Sequence, residues 1–303
     1  MRLTLLKTMK SVLAALLFLT AAFAQAPAPP AKPTTPRAVA PAAIPAATED
    51  EGSRKARALV DKALGALGGQ AYLTYATRSE EGRSYSLYHG RARDAGILYR
   101  RFYRFGDQDR VEVALGNGAS WLDVVQTQAP LQLPDPKSNK KADIAIIHNG
   151  DKGFEVTYKG TEQEEPKATV TYLRRRSRSL EQVLRTWIKD PTTAFFYDGS
   201  ALASNQLADQ ITITNSKNES VTLYLDSTTH IPIKKKFSWR DSADKERNTE
   251  EEVYDNYKTV QGVLTPYSLT RFYNGDMAYQ RFLSKITYND NLADSLFEAS
   301  LTK

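Results

Sequence analysis

Apolar positions recur at helical spacing in two stretches of this chain and at a spacing of two almost everywhere else. In "GSRKARALVDKALGALGG", Ala58, Leu59, Lys62, Ala63, Ala66 and Leu67 fall at helical intervals. Gly68-Gly69 then supply a stop, which predicts a helix over about residues 53–67. In "SLEQVLRTWIKD", Leu180, Val183, Leu184, Trp187 and Ile188 form one stripe, and Pro191 closes that second helix. From about residue 72 the period is two. "GRSYSLYHG", "GILYRRFYRFG" and "DRVEVALGNGASWLDVV" predict strands, the last a hairpin around Gly116-Asn117-Gly118. Residues 126–143 carry three prolines and few apolar residues, and they predict a loop or flap. "GFEVTYKG" and "ATVTYLRRRS" read as paired strands joined by the acidic "TEQEEPK".

The second half is strand after strand, from "TAFFYDG" and "DQITITNS" to "VLTPYSLTRFYNG" and "MAYQRFLSKITYN". Short turns, among them Asn274-Gly275, join neighbours, so the strands run antiparallel. Roughly 10–12 strands in one sheet must curl, close or split. The two amphipathic helices each need a surface to bury their stripe. The pattern therefore predicts an α+β fold over residues 51–303, a large curved antiparallel sheet with helices against its concave side.

Alternation also sorts side chains to faces. Ile97, Tyr99, Tyr103 and Phe105 share one face with Arg101; Leu98, Arg100, Phe102 and Arg104 share the other. Ile231, Ile233, Phe237 and Trp239 oppose Lys234, Lys236 and Arg240. Phe282, Ile286 and Tyr288 alternate with Arg281, Lys285 and Thr287. Such faces line either a packed core or a cavity, and sequence does not separate the two. The candidate ligand-lining residues are Tyr99, Tyr103, Trp121, Trp187, Phe237, Trp239, Phe282 and Ile286.

Composition places the protein outside the cytoplasm. Arg2, Lys7 and Lys10 precede the apolar "SVLAALLFLTAAFA", which ends in Ala22-Phe23-Ala24. That is the pattern of a secretory signal peptide over residues 1–24, and its apolar run is shorter than the roughly 20 residues of a membrane span. Residues 25–50, rich in Ala and Pro, read as an extended tether. Cleavage removes three cations and lowers the formal charge from +6 to +3, too little for a broad nucleic-acid surface. With no Cys there are no disulfides, so stability rests on the core. The expected setting is the periplasm, with transient membrane contact at most.

Little in the chain reads as catalysis or cofactor chemistry. His89, His148 and His230 lie apart, without metal-ligand spacing, and each reads as an ordinary turn residue. Glu250, Glu251 and Glu252 are candidate acid–base groups, but beside "ADKERN" they read as the solvated start of a strand. Arg174, Arg175 and Arg176 are candidate contacts for an anionic head group or a partner; the plainer reading is a charged junction between a strand and a helix. Asp226, Thr229 and His230 in "LYLDSTTHIPIKKKF" resemble a catalytic loop at first sight. Turn chemistry explains them better, because Asp accepts from the backbone just after it and Pro232 suits a strand's first position. No catalytic residue, metal or cofactor is expected.

Three late segments carry a family likeness: "LYLDSTTHIPIKKKF", "VYDNYKTVQGVLTPYSLTRFYNG" and "ITYNDNLADSLFEAS". Through Asp226, Thr229, Pro232, Tyr257, Val260, Gly262, Val263, Pro266, Asn289, Leu292 and Phe297 the chain resembles the periplasmic outer-membrane lipoprotein carriers, the LolA/LolB-like superfamily. The resemblance implies an unclosed barrel lidded by helices and an apolar cavity for a lipid or a lipoprotein acyl chain. It departs from the family in length, and no single Arg here corresponds to the buried gating arginine of the classical carrier. The expected function is non-enzymatic binding of a hydrophobic ligand; the alternative is an envelope adaptor that binds a protein through its sheet surface.

Overall fold

The computed structural model describes residues 50–88, 91–92, 96–114, 142–241 and 245–301, all within one compact unit spanning residues 48–303. The leader and nearly all of the tether lie outside the described residues. So do Trp121, His89, the Gly116-Asn117-Gly118 turn with its following strand, and most of the 126–143 loop.

Helix α1 (Glu51–Ala66) starts two residues earlier than its apolar stripe suggests, because Asp50 caps it by accepting from Ser53 N at 2.6 Å. A short α2 (Gln70–Thr74) follows where alternation had been expected to begin, and the strands start at Thr77. Strands β1 (Thr77–Tyr88), β2 (Arg91–Ala92), β3 (Ile97–Arg104), β4 (Gln108–Ala114), β5 (Ile144–Asn149), β6 (Lys152–Thr157) and β7 (Gly160–Gln163) come next. Helices α3 (Pro166–Ser177) and α4 (Leu180–Arg185) cross over to β8 (Ala194–Ala203). The chain then meanders through β9 (Gln206–Thr214), β10 (Ser220–Asp226), β11 (Pro232–Arg240), β12 (Arg247–Val260), β13 (Val263–Tyr273) and β14 (Asp276–Tyr288).

These fourteen described strands form one sheet in the order 7-6-5-4-3-1-14-13-12-11-10-9-8, with β2 paired to β1 alone. Every pairing is antiparallel. The single long-range pairing, β1 with β14, fuses two meanders, and β7 and β8 remain as separate edges, so the sheet is not closed.

"ATVTYLRRRS" is helix, not strand. Pro166 occupies the first turn, where its missing N–H costs nothing, and Arg174, Arg175 and Arg176 sit in the last turn, where cations complement the helix dipole. The alternation of its Thr and Val residues imitates a strand, yet Ala168, Thr171, Tyr172 and Arg175 face the sheet together, at helical spacing.

The main core joins α1 and α4 to the wing formed by β8–β11. Ala56, Leu59, Val60 and Ala63 of α1 and Val183 and Leu184 of α4 pack with Ile211, Ile213, Val221, Leu223 and Leu225. The hairpin residues behave as turn chemistry requires. Asp226 Oδ1 accepts from Thr228 N (3.1 Å), Thr229 N (2.7 Å) and Thr229 Oγ1 (2.8 Å). His230 takes a left-handed φ of 59°, and Pro232 opens β11. Asn289 accepts from Ala76 N at 2.9 Å, and the Tyr257 hydroxyl donates to the Pro232 carbonyl, so the family-like positions tie turns together.

Candidate functional site

Beyond the packed wing, the sheet and helices enclose a cavity of about 700 Å³, within the range of small-molecule sites. Its lining includes Leu67, Val263, Leu264, Leu269, Leu283 and Ile286 and the rings of Tyr72, Tyr75 and Tyr288. Interleaved with them is a band of charge that runs across the strands, Ile286 pairing with Glu80 and Leu269 with Arg281. The expected apolar lining is therefore only half of what is there.

The band begins on β11 and β12. Lys235, 1% exposed, pairs with Glu252 at 2.8 Å. Arg271 donates to Glu252 Oε1 at 2.9 Å and lies 3.3 Å from Glu250. Arg175 reaches down from α3 to Glu250 at 2.8 Å, and Tyr254 donates to Glu252 at 2.8 Å. Burial would push the Glu252 carboxyl up, but Lys235 and Arg271 outweigh it and hold the group well below the usual range. Glu250 and Glu252 thus overturn their reading as a solvated strand start. Only Glu251, which points outward to Lys234 and Lys236, behaves that way. Period-two alternation puts 250 and 252 on the inner face whatever their polarity.

On β14, β1, β3 and β4 the band continues. Arg281 donates to Glu80 at 2.9 Å, and Glu80 also lies near Arg78 (3.5 Å) and Arg101 (3.7 Å). Arg101 grips Asp109 through two bonds of 2.8 and 2.7 Å. Arg78 pairs with Glu181 of α4. Against the same Asp109, the Tyr172 hydroxyl of α3 donates at 3.0 Å. His148 stacks on the Tyr172 ring, centroids 3.4 Å apart, and its Nε2 meets Glu164 Oε2 at 2.9 Å. His148 is therefore a buried residue of β5, not a turn residue, and burial pushes its pKa down.

The predicted ligand-lining residues divide. Tyr99, Tyr103 and Ile286 line the cavity, Tyr99 and Ile286 also belonging to the main core cluster. Trp187 and Phe237 are buried in that core away from the cavity lining, and Trp239 packs against it beside Phe237. Phe282 is 41% exposed, edge-on to Tyr85 on the outer face, while its neighbour Arg281 points in. A bulge causes this reversal: β1 pairs Glu81 with Lys285 and Gly82 with Leu283, which skips Ser284 and shifts the alternation by one. Gly82 is required at that bulge, since a Cβ there would overlap the Phe282 carbonyl oxygen. Ile233 likewise leaves its predicted face for a small cluster with Ala203 and Ala208, where the β10–β11 register shifts.

The three arginines are engaged within the fold. Arg174 stacks over Trp239 at 4.3 Å, Arg175 holds Glu250, and Arg176 donates to the carbonyls of Gly150 (2.6 Å) and Asp107 (3.2 Å). Sequence reasoning named Glu252 but read it as solvated, placed Arg281 on the opposite face, and missed Lys235, Arg271, Glu80 and Asp109. Their available signal was a charged residue at an inward position on several neighbouring strands.

No family model matches this chain, and no curated protein matches it. Solved structures do. A DUF1329 family protein from Desulfovibrio piger is 10% identical, covers 80% of this chain and 97% of its own, and superposes with a TM-score of 0.51; at that identity it shows a shared fold. A putative outer membrane lipoprotein-sorting protein domain from Vibrio parahaemolyticus (9% identity, 81% and 97% coverage, TM-score 0.49) is also similar. So is a LolA superfamily protein from Nitrosomonas europaea (12%, 80% and 97%, TM-score 0.45). The large open antiparallel sheet with few helices is the common architecture.

Proposed function

We propose that this protein is an exported, non-enzymatic binding protein that holds an acyl chain or comparable hydrophobic ligand between its sheet and the α3–α4 crossover. The observation that carries this reading is the 700 Å³ cavity, whose lining includes Leu67, Val263, Leu264, Leu269, Leu283 and Ile286. Burying a chain there is favourable by about 0.8 kcal/mol per CH₂, which needs no catalytic group. The cavity carboxylates support the same reading. Burial would raise Glu80, Asp109 and Glu252, but facing cations hold each of them low, so they stay ionised near neutrality and are poorly placed to exchange protons. Helix α3, which buries no side chain completely and meets the sheet through polar groups, is the element suited to act as a lid. Among the described residues no helix is long and apolar enough to cross a membrane. Export follows from the leader, and the mature chain begins at Gln25.

The test is uptake of the uncharged dye N-phenylnaphthylamine by purified protein, together with native mass spectrometry of protein taken from its own envelope. Saturable dye fluorescence and a co-purifying lipid are expected. Absence of both overturns the reading. An Ile286→Trp variant, which fills the cavity, is expected to bind the dye at least several-fold more weakly.

A further inference from the structure

Two independent features of the charged band point to the polar end of the ligand. The first is a charge count. Lys235, Arg271 and Arg175 share two carboxylates, Glu250 and Glu252, and no other carboxylate among the described residues is ion-paired to them. One positive charge is left over in a corner where Lys235 and Glu250 are 1% and 2% exposed and the Arg175 side chain is 36% exposed. Surplus cations at a partly buried site favour an anion beside them. Burial, and next the neighbouring Arg271, press the Arg175 guanidinium below its usual value, as expected where cations outnumber anions.

The second feature is a set of donors with nothing to bond. The hydroxyls of Tyr72 and Tyr99 and the Nε atoms of Arg78 and Arg281 belong to side chains lining the cavity, and none has a hydrogen-bond partner among the described residues; Tyr99 (4% exposed) and Arg281 are the two beside Tyr279's strand segment. A buried donor left unmade is destabilising, and an acceptor in the cavity removes the cost. The two features meet at Tyr279. It is the cross-strand partner of Arg271, whose guanidinium stands 5.1 Å over its ring, and it lines the cavity two residues from Arg281 on β14.

We infer that the cavity ligand is an anionic amphiphile, a carboxylate or phosphate on an apolar chain, with its head on the Arg271–Tyr279–Arg281 segment and its chain over Leu269, Leu283 and Ile286. This rests on the binding reading above and specifies the ligand class for the same cavity. Anionic oxygens would neutralise the surplus charge and accept from the Tyr99 hydroxyl and Arg281 Nε. Charge-assisted bonds of that kind are the strong ones.

The test displaces N-phenylnaphthylamine with dodecanoate, dodecyl phosphate and dodecanol, which share a chain and differ in head group. Both anions are expected to compete at roughly tenfold lower concentration than the alcohol, or better. Which anion competes more strongly separates a fatty-acid source from a phospholipid source. Lys235→Met leaves two guanidiniums facing two carboxylates, so the fold is retained while the surplus charge is gone. It is expected to shrink the anion preference several-fold and leave dodecanol unchanged. Tyr99→Phe, which removes one oxygen, is expected to do the same to a lesser degree. Equal competition by anions and alcohol in the wild type overturns the head-group assignment and leaves the cavity reading standing. So does an anion preference untouched in both variants. No dye binding at all overturns the cavity reading itself.

Discussion

On β9 and β10 the inward side chains are Ile211, Ile213, Val221, Leu223 and Leu225, all at 0% exposure; on β12, β13 and β14 the inward positions include Glu252, Arg271 and Arg281. Both regions are antiparallel sheet, and both send alternate side chains inward apart from the bulges. What differs is the cover. Over the first, α1 and α4 present apolar faces that interdigitate with the sheet. Over the second lies α3, with no fully buried side chain and with Tyr172 and Arg175 reaching down to Asp109 and Glu250. Where the helix offers methyl groups the space fills. Where it offers a phenol and a guanidinium, the sheet answers with charge and a cavity persists, because ion pairs fix a few atoms in place without filling the volume between them.

Acid should separate the two regions most strongly. Burial would raise Glu181, but Arg78 holds it down at about 2, and Glu80, Asp109 and Glu252 are likewise depressed by their cations. A folded pKa below the unfolded one contributes stability that is complete above about pH 4.5 and is lost as the pH falls through the folded value. The urea midpoint is therefore expected to drop steeply between about pH 4.5 and 2, and Glu181→Gln to flatten part of that slope. A midpoint indifferent to acid would remove the charged half of the comparison.

Next in size is Glu252→Ala, which leaves Lys235 and Arg271 facing one carboxylate fewer. It is expected to cost about 3–5 kcal/mol in chemical denaturation. Lys235→Met should be close to neutral by the same measurement, since it removes a cation from a cluster that has one too many. Truncation of the packed region follows. Leu223→Ala should cost about 2–5 kcal/mol because it opens a void. Leu283→Ala, on the wall of an existing cavity, should cost no more than about half as much, and equal losses would mean that the two regions are packed alike. Smallest is Asp226→Ala in the exposed hairpin turn. It forfeits bonds to Thr228 and Thr229, costs about 0.5–1.5 kcal/mol and leaves dye binding unchanged.

Much of the sheet was legible because period-two alternation and turn residues are local signals. Asp226, Asn274-Gly275 and Pro232 do in the structure what their chemistry suggests. The errors have local causes too. Thr169, Val170 and Thr171 alternate with the neighbouring residues like a strand, yet Pro166 and the polar anchors beneath make α3 a helix. Phe282 was placed inside and Arg281 outside because parity was counted without the bulge at Ser284, and a one-residue shift exchanges the faces. Glu250 and Glu252 were read as solvated because acidic runs ordinarily are. Their burial depends on Arg271, 19 positions from Glu252, and on Arg175, 75 positions from Glu250.

By itself, then, the amino-acid order determined the elements that rest on near neighbours: the helix stripes, the strand alternation, the turns and the antiparallel succession. The tertiary structure alone decided which faces are filled. A cavity is the volume that side chains from β1, β3, β4, β5, β11, β12, β13, β14 and helices α2, α3 and α4 fail to occupy together. A charge count is a balance struck among groups that only folding brings within 3 Å of one another, as with Lys235 and Glu252. Neither quantity belongs to any single stretch of chain, so no periodicity along it could carry them.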